Sequence, residues 1–295
     1  DSSDGTTKVT NEEGGSITSG GAAIELYNTG DIENSGTMDT VQGIRMHGGG
    51  KVLNQESGII KVTDPDSYAA IRSEYATEDL TVENHGEISG GAYTIASDGG
   101  GKVIIENYGS ITTTGDQWAV YLSSANDSLT MYDGSTLTGD VAMDFGDDEV
   151  ALLAGSMITG DVYGGEGDDA FTLMVGATVT GNLIGGADND TLTLDGDADD
   201  DGGSINSDAI REFETLVKSG TSDWTLTGSS TLADTAIKAG TGTAAGKLIF
   251  DGTADLTTNI EVNGATIRAA SAGAFGTGTI HAIDPTIEFG ATGEY

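Results

Sequence analysis

The chain has no cysteine and only 2 prolines among its 295 residues. The first absence excludes a disulfide framework and any thiolate metal site. Cations are scarce too: 11 Lys and Arg stand against 48 Asp and Glu, a formal net charge of -37. So few Lys and Arg cannot neutralise a run of phosphates, which argues against nucleic acid as a partner and against docking on anionic lipid. No apolar run approaches the ~18 residues of a membrane span, so no direct membrane insertion of this segment is expected. No Lys-led apolar leader opens the sequence; the expectation is a leader already removed or a piece of a longer chain.

What is abundant is glycine, at 47 residues. Gly costs roughly 1 kcal/mol in a helix interior, and the accompanying Thr, Val and Ile favour strands. High charge with modest hydrophobicity can signal disorder, but the apolar residues here recur in register. The charge itself keeps chains soluble and apart and attracts cations.

From Asn126 to Leu194 the repeat is 21 residues. Asp127, Asp148, Asp169 and Asp190 keep that step, as do Leu129, Val150, Phe171 and Leu192. So do Met131, Leu152, Leu173 and Leu194, and Val120, Val141, Val162 and Leu183. Within each repeat the apolar residues alternate, as at Phe171-Thr172-Leu173, so 171 and 173 share a face. Short strands between Gly and Asp corners at this period describe the coils of a parallel β-solenoid. The reading is an all-β, right-handed parallel β-helix of 21–25 residues per coil. About 12 coils at ~4.8 Å each make a rod of roughly 60 Å. Identical columns then become ladders, with aliphatics expected inside and Thr and Asp outside.

The N-terminal part repeats more loosely. NEEGGSIT (11–18), NSGTM (34–38), NQESGII (54–60), NHGEIS (84–89) and NYGSIT (107–112) share an Asn, a Gly and then an apolar residue. The longest interval contains TDPDS (63–67), which reads as a loop bulging from one coil. Second strands follow, such as AAIEL (22–26), QGIRM (42–46), YTIAS (93–97) and WAVYL (118–122); QGIRM leads into a Gly corner at HGGGK (47–51) and YTIAS into one at DGGGK (98–102). After Asp208 the period loosens. IREFETLVKSG (210–220) fits either an amphipathic helix or two short strands, since Ile210, Phe213, Leu216 and Val217 fall on one helical face. Residues 1–208 are expected to form regular coils and 209–295 a looser C-terminal segment.

The order of these motifs resembles the passenger region of bacterial type V autotransporters. The resemblance rests on N-x-G-x-I, on A-x-I-x-L running into GGGK, and on FETLVKSGTSDWTLTG followed by VNGATIRAASAGAFGTGTI. It implies a right-handed β-helix displayed extracellularly on the cell surface of a Gram-negative bacterium, outer-membrane tethered or released. It also implies a C-terminal translocator barrel in the parent chain. No alternating membrane strands precede Tyr295, so that barrel is expected outside these residues.

Two acidic stretches are candidate calcium sites. GGEGDDAFT (164–172) fits the nonapeptide G-G-x-G-x-D-x-U-x, and GGADNDTLT (185–193) fits with Asp188 in place of the third Gly. The unit returns after 21 residues rather than nine, so Asp148, Asp169 and Asp190 stack at one corner, where like charges ~5 Å apart repel. Raised pKa values, a bound hard cation, or splaying into water would each relieve the repulsion; turn chemistry with splayed carboxylates is the competing reading. DADDDGGSINSD (197–208) places Asp197, Asp199, Asp201 and Asp208 at positions 1, 3, 5 and 12 of an EF-hand-like loop. Against that, Asp stands where a bidentate Glu is usual, and the stretch also reads as a solvated acidic loop.

Tyr93, Trp118 and Tyr121 are candidate ligand-binding aromatics, able to stack on sugar rings, although such residues also cover sheet edges. His47, His85 and His281 fall in different repeat positions, and no nucleophile elbow is present, so no enzyme activity is expected. Arg45 and Arg72 share a column with Glu25 and read as a ladder ion pair rather than a lyase site. The functional expectation is adhesion or self-association, with aggregation and biofilm as outcomes, through polar ladders. Its partners would be a like passenger on neighbouring cells or a host or matrix polymer. A polysaccharide lyase or hydrolase on the same scaffold, or a passive spacer stalk, are the alternatives.

Overall fold

A computed structural model describes residues 6–64, 69–115, 117–197, 201–229, 232, 235–240, 246–252, 256, 259–270 and 274–290. The chain coils through three parallel sheets, joining each strand to its equivalent one coil earlier and one coil later. Sheet A has 13 strands, from Thr7–Asn11 to Ile280–Ile283. Sheet B has eight, from Ser16–Ser19 to Thr178–Val179. Sheet C has nine, from Ile24–Leu26 to Ile210–Arg211. The result is a parallel β-solenoid of about 12 turns. Among the described residues the one helical element is a 3-10 turn at Ser207–Ala209.

The 21-residue columns are the register. Leu129, Val150, Phe171 and Leu192 pair in sequence on sheet A, and Val120, Val141, Val162 and Leu183 on sheet C. Each is 0–2% exposed. Alternation puts every second side chain inside, and the next coil covers the apolar edge that one coil alone would leave wet.

In the N-terminal coils V-x-N-x-G-x-I-T is two strands, one on sheet A and one on sheet B, with the corner at Asn-x-Gly. Glycine is required there by close approach: a Cβ on Gly86 or Gly109 would overlap the carbonyl oxygen of Gly58 or Gly86 one coil before. Of the expected bulge at 63–67, residues 65–67 lie outside the described residues.

The cross-section changes near residue 203. Sheet B ends at Val179 and sheet C at Arg211, while a five-stranded sheet D begins at Gly203–Asn206 and runs to Thr286–Phe289. From there sheets A and D are the two layers. Residues 210–220 form the short strands Ile210–Arg211 and Thr215–Lys218 rather than a helix. Ile210 extends sheet C beside Leu183, and Leu216 extends sheet A beside Leu192. Two open sheet edges thus supply hydrogen-bond partners that a helix would leave unused.

Candidate functional site

Asp127, Asp148, Asp169 and Asp190 each stand one residue before a strand of sheet A. Splaying into water is not what they do. They are 2%, 2%, 1% and 0% exposed. The main-chain N–H groups at this corner need acceptors, and the carboxylates supply them. Asp127 Oδ1 accepts from Val103 N–H at 2.6 Å and Asp148 Oδ1 from Asp127 N–H at 2.6 Å. Asp169 Oδ1 accepts from Asp148 N–H and Asp190 Oδ1 from Asp169 N–H, both at 2.8 Å. Glu214 Oε2 closes the column on Asp190 N–H at 2.7 Å. The second oxygens of Asp148, Asp169 and Asp190 are buried with no hydrogen-bond partner. Burial pushes each of the four carboxyls up to about 7; the N–H bonds oppose the rise.

A different buried column serves the N-terminal coils. Asn11, Asn34, Asn54, Asn84 and Asn107 stack at the A–B corner, each Nδ2 donating to the next Oδ1 at 2.7–2.8 Å. The Asn-x-Gly motif was legible in the sequence, but its inward ladder was not. The amide stack ends at Asn107, above Met131; the acid stack begins at Asp127. A buried lysine was also not foreseen. Lys218 is 0% exposed, stands in an inward column between Leu194 and Ala239, and donates to the carbonyls of Ser219 and Gly220. Burial lowers its pKa.

On the outer face of sheet C, Arg45 and Arg72 do form a ladder of alternating charge. Arg45 Nε meets Glu74 Oε2 at 2.7 Å and its Nη1 lies 3.8 Å from Glu25 Oε1. Arg72 pairs with Glu74 and Asp98. His47 lies 3.1 Å from Glu25 and stacks on Tyr27; its hydrogen bond, then that of Tyr27, lowers the Glu25 pKa. The other histidines stand apart, His85 against Glu83 and Tyr108 and His281 beside Glu261.

Tyr93, Trp118 and Tyr121 come together further along sheet C. Ring centroids of Tyr93 and Tyr121 are 5.6 Å apart and those of Trp118 and Tyr121 6.2 Å. Tyr163 joins the cluster 5.3 Å from Trp118, and its hydroxyl donates to Asp161. All four are half-buried on an open face.

Among the described residues no group of three or more His, Asp or Glu side chains is arranged to hold a metal ion. In the 197–208 stretch Asp199 lies outside the described residues. Asp208 sits in the 3-10 turn, where its Oδ1 accepts from Ser229 N–H. A hollow of about 250 Å³ opens where sheet B gives way to sheet D, between Leu173, Val179, Leu183 and Ile205. No charged side chain lines it.

The charge itself is segregated. Between Lys102 and Arg211 the chain has no Lys, Arg or His. Over the coils from Ser128 to Asp195, the outward residues of sheet A are Ser128, Thr130, Glu149, Ala151, Ala170, Thr172, Met174, Thr191, Thr193 and Asp195. Sheet B adds Thr136, Thr138, Met157, Thr159 and Thr178. Glu149 and, beside Met174, Asp195 are the charges on this double wall, with Asp133 at its corner. Asp140, Asp144, Asp161 and Glu166 crowd sheet C, and Asp147, Asp168 and Asp188 its corner with sheet A.

No family model, no curated protein and no solved structure matches the chain.

Proposed function

We propose that this chain is the extracellular passenger of an autotransporter, displayed on a Gram-negative cell surface and acting in adhesion or self-association. The observation that carries the reading is the nearly uncharged wall of sheets A and B in a chain of net charge -37. Two such rods repel wherever carboxylates face carboxylates. Wall-to-wall contact keeps the anionic sheet C sides apart and brings Thr, Ala, Ser and Met surfaces together. The wall is about four coils, or ~19 Å, tall. One such contact is weak, and adhesion between cells follows from many in parallel. A translocator barrel in the parent chain and a host or matrix polymer as second partner belong to the same reading. The aromatic cluster of Tyr93, Trp118, Tyr121 and Tyr163 offers such a polymer a stacking surface.

Light scattering of the purified rod across salt, with a settling assay on displaying cells, tests this. Repulsion reaches ~30 Å at 0.01 M salt and ~8 Å at 0.15 M. Association therefore strengthens with salt, the reverse of an interface built on opposite charges. Thr172→Glu with Thr193→Glu abolishes it, whereas Ile184→Glu on sheet C does not. A rod monomeric in every buffer, on cells that neither settle nor bind surfaces, overturns the proposal. Release of reducing or unsaturated sugars from a polysaccharide panel would replace it with the enzyme reading.

A further inference from the structure

We propose that the buried column of Asp127, Asp148, Asp169 and Asp190 is a proton-binding site, its carboxyls held as neutral acids when the rod is folded. The inference is independent of the adhesive reading. It rests first on the orphaned oxygens. Each carboxyl has one oxygen on a main-chain N–H, and three have a second oxygen buried without a partner. An ionised carboxylate offers only acceptors, so that second oxygen would be a desolvated partial charge with nothing opposite it, and its neighbour one coil away would repel it.

The asparagine column makes the same argument from the other side. At the A–B corner the chain stacks amides, each with one atom that accepts and one that donates, and every rung is satisfied. A carboxyl imitates an amide in only one state, the protonated one. Acceptors stand close by. A Cβ on Gly164 would overlap both Asp169 Oδ2 and the carbonyl oxygen of Gly185, so these two oxygens share one small space. On Gly185 it would overlap Asp190 Oδ2 and the carbonyl oxygen of Glu212.

The surroundings favour the proton. The groups that face the column are Asp79 and Lys102 at the Asp127 end, Asp147 and Asp168 along it, and Glu214 beyond Asp190. All but Lys102 are acidic, and Lys102 acts only on Asp127 and Asp148. Among the described residues no cation acts on Asp169 or Asp190.

The sign follows from linkage. An unfolded Asp releases its proton near pH 3.8, whereas the folded column holds protons to about pH 7. Its contribution to stability is fullest below the unfolded value and is lost as pH rises through about 7. The central coils therefore tighten in mildly acidic surroundings and loosen in alkaline ones. Each proton held in the folded state and released on unfolding changes the unfolding constant tenfold per pH unit.

The test is urea unfolding of the wild-type chain from pH 5 to 8.5, beside the variant with Asp127, Asp148, Asp169 and Asp190 all replaced by Asn. Carbon-detected titration of the aspartate carboxyls accompanies it. The wild-type unfolding constant should rise at least tenfold per pH unit between pH 5 and 7, and the quadruple variant should lose most of that slope. The carboxyl resonance missing from Asp169→Asn, a single change that keeps an acceptor and a donor in place, should be one that titrates near 7. This readout serves even where the quadruple variant does not fold. Equal slopes in wild type and variant, or an Asp169 resonance that titrates below pH 5, overturn the proposal. So does calcium at pH 8.5 that restores the wild-type midpoint as fully as acid does, because a hard cation would then occupy the column.

Discussion

Replacing Asn54 by aspartate exchanges one NH2 for one oxygen and leaves the shape of the side chain unchanged. Asn54 is the middle of the five-rung amide stack and is 0% exposed. Its Nδ2 donates to Asn84 Oδ1 at 2.8 Å, Gly58 O at 3.1 Å and Glu87 O at 3.2 Å, while its Oδ1 accepts from Asn34 at 2.8 Å. In Asn54→Asp the accepting rung survives and the donating ones become contacts between acceptors. Loss of the rung to Asn84 removes about 1 kcal/mol, and leaving Asn84 Oδ1 without its donor costs a further 1–3 or so. The buried charge adds more unless the new group takes up a proton. A destabilisation of about 4 kcal/mol at pH 8 is expected, near a thousandfold in the unfolding constant. At pH 5 much of it returns, because the protonated acid donates to Asn84 as the amide did. Leu53→Asp, on the outward face of the same strand, is the control and costs less than about 1 kcal/mol, a surface effect. Urea unfolding followed by far-UV circular dichroism measures all three chains. An Asn54→Asp midpoint equal to that of Leu53→Asp at pH 8, or equally low at pH 5 and pH 8, would refute the reasoning.

The register itself is tested by a neighbouring pair. Leu173→Asp puts a carboxylate into the inward column between Leu152 and Leu194 and should cost several kcal/mol; Thr172→Asp points outward and only adds repulsion. Comparable loss of dichroism in both would mean the faces are interchanged. Backbone strain gives the last comparison. Gly165 has φ +125°, and a Cβ there would overlap the Asp144 carbonyl oxygen. Gly165→Ala should lower the thermal midpoint sharply, by about 2 kcal/mol or more in stability. Gly20→Ala, which meets nothing within 4 Å, should leave the midpoint within the scatter of surface substitutions; equal midpoints would remove the argument from close approach.

Much of the fold is legible in the sequence because a solenoid is local in one respect: each coil meets the next at a nearly constant offset. The 21-residue step therefore states the pairing outright, and Leu129–Val150–Phe171–Leu192 needs no tertiary information beyond the period. The offset also makes Arg45 and Arg72 readable as a ladder, since both follow an isoleucine of the same column. It also brings Tyr93, two residues before the strand Ile95–Ser97, close to Tyr121 on the next strand of sheet C.

What a period cannot say is which side of a corner a polar residue takes. A strand alternates, so its inward face can be read; a corner residue has no such rule, and its direction depends on which main-chain N–H groups the turn leaves without partners. That decided the four aspartates, expected outside and found inside, each closing an N–H of the coil before. It also decided the asparagines, whose Gly neighbour was visible in the sequence but whose stacked amides were not. Residues 210–217 show the same limit in another form. Ile210, Phe213 and Leu216 repeat every third residue, a spacing shared by a helix face and by a chain turning a solenoid corner. Only the open edges of sheets A and C, present because the preceding coils had already formed them, select the strands.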